Sequence, residues 1–158
     1  CLTLAHANAA YPEAREAVLE ALAAEEAQGF NGLEVYERFR NDVETHREKL
    51  QALIAQLKSE GKTVFGYGAS TKGNVILQYC GLGSADIPYI ADVNEYKFGR
   101  HTPGSLILIV SEQDAKDRNP DYFLVLPWHF KEGIIEREQE FIKAGGKLIF
   151  PLPEIHII

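Results

Sequence analysis

Methionine is absent from this chain of 158 residues, and cysteine occurs only twice, at Cys1 and Cys80. Because a natural chain needs an initiator methionine, we expect the sequence to be a piece of a longer protein. Neither cysteine belongs to a CxxC or Cys/His pattern, so the sequence predicts no metal site. Cys80 falls in an apolar helical stretch, which favours a buried free thiol and a reducing, cytoplasmic location.

Long hydrophobic runs and an excess of positive charge are also missing. No apolar stretch approaches the ~20 residues that span a bilayer, and no signal-peptide pattern opens the chain. Lys and Arg number 16 against 23 Asp and Glu, which gives a formal net charge of −7. We therefore expect neither a membrane nor a nucleic acid as partner, although one local cluster of donors is sufficient for a small phosphorylated ligand.

Strand and helix patterns alternate from Lys62 to the C-terminus. Short apolar runs typical of strands lie at 62–67, 87–91, 106–110, 122–126 and 147–150. The segment 131–144 is predicted as one helix. The alternation predicts the α/β class, as a Rossmann-like three-layer fold with a mostly parallel five-stranded sheet covered on both faces.

Two helices are predicted before this alternation begins. Pro12 suits the first turn of the first helix, where Glu13 and Glu16 would favour the positive end of the helix dipole. The second helix keeps its apolar residues close to a 3.6-residue period and ends at Gly61. The predicted organisation is a linker at 1–11, a helical segment packing on the domain at 12–61, and the Rossmann-like domain at 62–158.

A glycine-rich loop, Gly66-Tyr-Gly-Ala-Ser-Thr-Lys-Gly-Asn74, lies between the first strand and its helix, where such sheets bind ligands. Glycines allow close approach of the backbone, and N–H groups at a helix start favour an anion. Lys72 adds a positive charge. The loop predicts a phosphate or pyrophosphate site, with a tight turn that binds nothing as the alternative. The loop residues predicted to bind substrate are Gly66, Gly68, Ala69, Ser70, Thr71, Lys72, Gly73 and Asn74.

The loop departs from two standard phosphate-binding patterns. In GxGxxG the third glycine would stand at position 71, which is Thr71, and the glycine comes two residues later at Gly73. The order Lys72-Gly73 is the reverse of the Gly-Lys of a P-loop. The loop therefore favours neither a standard dinucleotide site nor a P-loop nucleotidase.

Further donors and acceptors follow the second strand. Asp92 follows Gly68 at close to the ~20-residue spacing of a carboxylate that binds ribose hydroxyls in dinucleotide folds, or it caps a turn. The segment 92–104 is long for a connection in such a fold, and long ordered loops over a cleft are often functional. Within it, we expect Asn94, Lys97 and Arg100 to face the substrate, with a solvated basic loop as the alternative.

Pro127-Trp128-His129 follows the fourth strand, at the same edge of the sheet. Trp128 could stack on a base or a sugar, and His129 could reach a ligand hydroxyl. The alternatives are that Trp128 only fills the core and that His129 caps the next helix.

Four separated motifs, taken together, resemble one known family in order and spacing. They are Gly66–Asn74; Asp92-Val-Asn94 with Gly99-Arg100 and Pro103-Gly104; Leu126-Pro-Trp-His-Phe130; and Gly145-Gly-Lys147 with Pro151-Leu-Pro-Glu154. The sequence from about residue 12 to its end resembles the C-terminal domain of the S-adenosylmethionine-dependent sugar C-methyltransferases, which methylate a carbon of a nucleotide-linked deoxysugar.

The resemblance implies a three-part enzyme. A zinc-binding segment and a middle domain that binds S-adenosylmethionine would lie upstream, and the C-terminal domain would help to hold a nucleoside-diphosphate keto-deoxysugar, with dTDP as the expected nucleotide. The expected partners are this substrate and the upstream methyltransferase domain of the same chain. The resemblance assigns no catalytic residue and no cofactor to residues 1–158, because it places the catalytic motif in the middle domain.

Two other functions stay open at this point. The same fold serves as an NAD(P)- or CoA-binding module of an oxidoreductase or ligase, against which Thr71 and the lack of an acid/base pair argue. The second is a non-catalytic interaction module that docks a partner through its two N-terminal helices.

Overall fold

The computed structural model describes residues 4–10, 12 and 14–158, which fall into two compact units, residues 1–43 and 44–158. The first unit contains α1 (Arg15–Ala27) and the start of α2 (Glu34–Ser59). Helix α1 begins three residues after Pro12, so the predicted placement of Pro12 in its first turn is wrong. Cys1 and Glu13 lie outside the described residues. The packing of the 12–61 segment on the domain stays a prediction.

The second unit holds the rest of α2 and the alternating elements. These are β1 (Val64–Tyr67), α3 (Thr71–Tyr79), β2 (Tyr89–Asp92), β3 (Leu108–Ser111), α4 (Glu112–Asp117), β4 (Tyr122–Val125), α5 (Lys131–Arg137), α6 (Gln139–Lys143), β5 (Lys147–Phe150) and β6 (His156–Ile157). Two 3₁₀ turns, Glu95–Lys97 and Trp128–Phe130, follow β2 and β4. Among the described residues, no helix is long and apolar enough to cross a membrane.

One six-stranded sheet has the order β3-β2-β1-β4-β5-β6. Strands β1 to β5 pair in parallel, and β6 runs antiparallel along β5. The predicted α/β class and mostly parallel sheet are confirmed. The sixth strand has only two residues, so the sequence shows no periodicity long enough to predict it.

Successive side chains of the central strands enter two hydrophobic clusters, one on each face of the sheet. On one face, Leu124 and Ile149 pack with the buried side of α2 (Leu50, Ile54 and Leu57). On the other face, Phe123 and Leu148 form a second cluster. Because both faces are covered, the strands are nearly continuous apolar runs, as parallel sheets require.

The predicted helix 131–144 is wrong in one respect, because it is divided at Glu138 into α5 and α6. Glu138 leaves helical geometry, with φ −98° and ψ 19°, and it is 1% exposed. Its carboxylate accepts a hydrogen bond from the Tyr67 hydroxyl (Oε1, 2.8 Å) and pairs with Lys116 (Oε2, 2.7 Å). These two partners explain why a charged residue turns inward and interrupts the helix.

Truncating Phe123 tests the role of the second cluster. Phe123 has no exposed surface, and its ring contacts those of Tyr67 and Phe141. We expect Phe123→Ala to lower the free energy of unfolding by about 3–5 kcal/mol, measured by urea denaturation. Val75→Ala is the control, since Val75 is 65% exposed, and it should change stability by less than about 0.5 kcal/mol. Equal effects of the two substitutions would contradict this packing.

Candidate ligand-binding site

The strand order reverses direction at β1, which pairs with β2 on one side and β4 on the other. The loops after β1 and β4 therefore lead to opposite faces of the sheet and leave a crevice at their carboxyl ends. Open parallel sheets bind ligands at this position. The glycine-rich loop lies at this crevice, as the sequence predicts.

Close packing accounts for three of the loop's glycines. A Cβ on Gly66, inside β1, would lie 2.6 Å from Ile90 Cγ1, and one on Gly73 would lie 2.4 Å from Leu126 Cβ. Gly68 has φ +78°, and a Cβ there would meet Pro127 at 2.8 Å. Gly73 thus provides the close contact between helix and strand that the third glycine of GxGxxG provides elsewhere.

Most backbone N–H groups of the loop donate hydrogen bonds within the protein. Those with partners are Gly68 to Ala91 O, Ala69 to Asp92, Ser70 to Gly68 O, Gly73 to Ser70 Oγ and Asn74 to Ser70 O. The N–H groups of Thr71 and Lys72, in the first turn of α3, have no acceptor among the described residues. The loop therefore offers an anion two backbone donors and the exposed Lys72 side chain, fewer than its glycine content indicates.

Asp92 holds the loop in this conformation. It is 6% exposed, and its carboxylate accepts from Ala69 N–H (2.8 Å), Asn94 N–H (2.8 Å) and Lys97 Nζ (3.0 Å). Lys97 Nζ also donates to the carbonyl of Ala69 (3.0 Å). The carboxylate proposed for ribose thus has three donors from the protein, and its main structural role is to join the loops after β1 and β2.

A cavity of about 450 Å³ opens beside these loops, on the face of the sheet covered by α4 and α5. This volume is in the range of small-ligand sites. The predicted site residues that line it are Gly68, Ala69, Ser70, Asp92, Asn94, Lys97 and Pro127. The lining residues that the sequence did not identify are Tyr67, Val93, Glu112, Phe130, Gly133, Ile134 and Arg137.

Three residues that line this cavity, Tyr67, Glu112 and Arg137, belong to one hydrogen-bonded network. Tyr67 donates to Glu138 and accepts from Arg137 Nη2, which also pairs with Glu112 at 2.8 Å. Burial, together with the hydrogen bond to Glu138, raises the pKa of the Tyr67 hydroxyl above its ordinary value. Tyr67 therefore stays protonated at physiological pH and keeps both contacts.

The remaining predicted residues lie outside this cavity. Arg100 is exposed, and its Nε donates to the carbonyl of Tyr96 (2.6 Å). Trp128 is half-buried and contacts both hydrophobic clusters, and His129 is exposed beside it. Asn74 has a buried Oδ1 with no hydrogen-bond partner in the described chain. Ligand contacts of these residues, and of Thr71 and Lys72, stay predictions.

The fold defines the class of protein as a Rossmann-like α/β domain with a crevice at the switch point of a parallel sheet. Residues 1–153 match the family described as C-methyltransferase C-terminal domain, and the chain belongs to this family. It is 41% identical over 150 residues to the C-methyltransferase NovU of Streptomyces niveus, covering 95% of this chain and 36% of that protein. The chain therefore spans about a third of the length of this relative.

Two glycine-to-alanine substitutions test whether a glycine is required by close packing at its position. Gly73→Ala places a methyl group against Leu126, so we expect a loss of about 1–3 kcal/mol of stability. Gly133→Ala, in α5, meets no atom within 4 Å and should raise stability by about 0.4–1 kcal/mol. Thermal or urea unfolding measures both. Tolerance of Gly73→Ala would show that the loop does not pack as described.

Proposed function

We propose that this chain is the substrate-binding domain of an S-adenosylmethionine-dependent C-methyltransferase that acts on a nucleoside-diphosphate keto-deoxysugar, with dTDP as the nucleotide. Two findings support the proposal. The chain belongs to the C-methyltransferase C-terminal domain family, and the crevice lies where open parallel sheets bind nucleotides.

The first turn of α3 carries the proposal. The backbone N–H groups of Thr71 and Lys72 have no acceptor in the part of the chain that the structure describes and lie at the positive end of the helix dipole, and Lys72 adds an exposed ammonium group. A diphosphate would accept from these donors without breaking any hydrogen bond of the loop. Ser70, which caps the helix by accepting from Gly73 N–H (3.0 Å), keeps this turn in place.

We place the methyl donor and the catalytic groups in another part of the enzyme, in keeping with the relative's greater length. S-adenosylmethionine would bind there, and the domain described above would present the sugar to it. The expected partners are therefore the nucleotide sugar and the methyltransferase domain of the same enzyme, in the cytoplasm.

Replacing Lys72 tests the diphosphate site. Lys72→Ala removes one charge-assisted contact, worth about 1.5–3 kcal/mol, so we expect dTDP to bind about tenfold or more weakly by isothermal titration calorimetry. Lys143→Ala is the matched control. Lys143 is exposed in the last turn of α6, whereas Lys72 lies in the first turn of α3 at the glycine-rich loop.

The Lys143→Ala protein should bind dTDP like the unchanged protein. Equal dTDP affinity in Lys72→Ala and the unchanged protein would contradict the site. Tight binding of NAD without binding of dTDP would instead support the dinucleotide-binding module.

A further inference from the structure

The charged side chains that line the cavity are paired with one another. Lys97 lies 3.0 Å from Asp92, and Arg137 lies 2.8 Å from Glu112. An anion inside the cavity would therefore meet two carboxylates together with the two cations. Because like charges at short range repel, the cavity suits an uncharged group better than a phosphate.

The cavity lining also combines apolar side chains with polar groups. Val93, Phe130 and Ile134 contribute apolar surface, and Phe130 is an aromatic ring that is 64% exposed. Asn94 and Arg137 supply hydrogen-bonding groups. A flat aromatic ligand with polar edges matches such a lining, because aromatic rings stack on apolar faces while their edge atoms need partners.

The part of the cavity lining that α5 contributes has no side chain at Gly133. Gly133 and Ile134 lie three and four residues after Phe130, the N-cap of α5, and four and three residues before Arg137, so all four residues share one face of the helix. Gly133 has no side chain, and a Cβ built on it meets no atom within 4 Å. Neither backbone strain nor packing requires glycine here, and the missing side chain leaves the cavity open at this position.

From these observations we infer that the cavity binds the nucleoside, base and ribose, of a nucleoside diphosphate. This inference rests on the proposed function. It assigns the two parts of one ligand, the diphosphate and the nucleoside, to two neighbouring parts of the protein. The diphosphate lies outside the cavity at Thr71 and Lys72, and the uncharged nucleoside lies inside it against Phe130 and Gly133. Arg137 and Asn94 then contact the polar edge of the base or the ribose hydroxyls.

A leucine at position 133 tests this assignment. Gly133 lines the cavity and a Cβ there meets no atom within 4 Å, so we expect Gly133→Leu to fill the cavity and keep the fold, which circular dichroism and thermal unfolding check. Calorimetry then compares dTDP and pyrophosphate as ligands. We expect dTDP affinity to fall about tenfold or more, to near that of pyrophosphate, while pyrophosphate affinity changes less than about twofold.

Glu136→Leu is the matched control, because Glu136 is exposed on the same helix and does not line the cavity. It should leave both affinities unchanged. Phe130→Ala is a second test, and it should weaken dTDP and spare pyrophosphate, since an exposed ring contributes little to the fold.

The outcomes separate the two proposals. Unchanged dTDP affinity in both Gly133→Leu and Phe130→Ala would overturn the nucleoside assignment and leave the proposed function standing. An equal loss of pyrophosphate and dTDP affinity in Gly133→Leu would also overturn it, by placing the anion in the cavity. No binding of dTDP or pyrophosphate to the unchanged protein would overturn the proposed function and the inference together.

Discussion

The buried carboxylate of Asp92 is the constraint on which the ligand site depends. A carboxylate removed from water is costly unless donors surround it, and Asp92 obtains three, from Ala69, Asn94 and Lys97. The donors lie in two different connections, the loop after β1 and the turn after β2. One buried charge therefore fixes the loop after β1, the turn after β2 and the ammonium group between them.

These contacts reduce the number of backbone N–H groups that the glycine-rich loop can offer a ligand. Because Ala69 N–H donates to Asp92 and Gly73 N–H donates to Ser70, the loop does not present a full ring of backbone donors. Its glycines serve close contacts with Ile90, Pro127 and Leu126. What is left for an anion is the first turn of α3, next to a cavity whose own charges are paired.

The architecture could be predicted because its signals are local. Five short apolar runs separated by helical patterns are sufficient to indicate a parallel sheet, and the position of a glycine-rich loop after its first strand places the crevice. The sequence predicted the correct edge of the sheet for Asp92, Asn94 and Lys97, all of which lie at the cavity.

The parts that were missed depend on contacts between distant residues. The partners Tyr67 and Glu138 are 71 residues apart, so a glutamate in a helical pattern gave no sign of being buried. Arg137 and Gly133 had an available signal, since they share a helix face with Phe130 directly after β4. Trp128 contacts both core clusters, and its stacking on a ligand stays a prediction, because a side chain that packs on the core looks the same in sequence as one that faces a cleft.

The loop is already formed by its own hydrogen bonds, which leaves the Thr71 and Lys72 amides, among the described N–H groups of the loop, for the proposed diphosphate. Amide chemical shifts and hydrogen exchange, followed by NMR during a dTDP titration, test it most directly. We expect the Thr71 and Lys72 amides to shift and become protected, while those of Ala69 and Gly73 are protected before ligand is added and stay so. Rapid exchange of the Ala69 and Gly73 amides in the free protein, with protection gained only on binding, would contradict it.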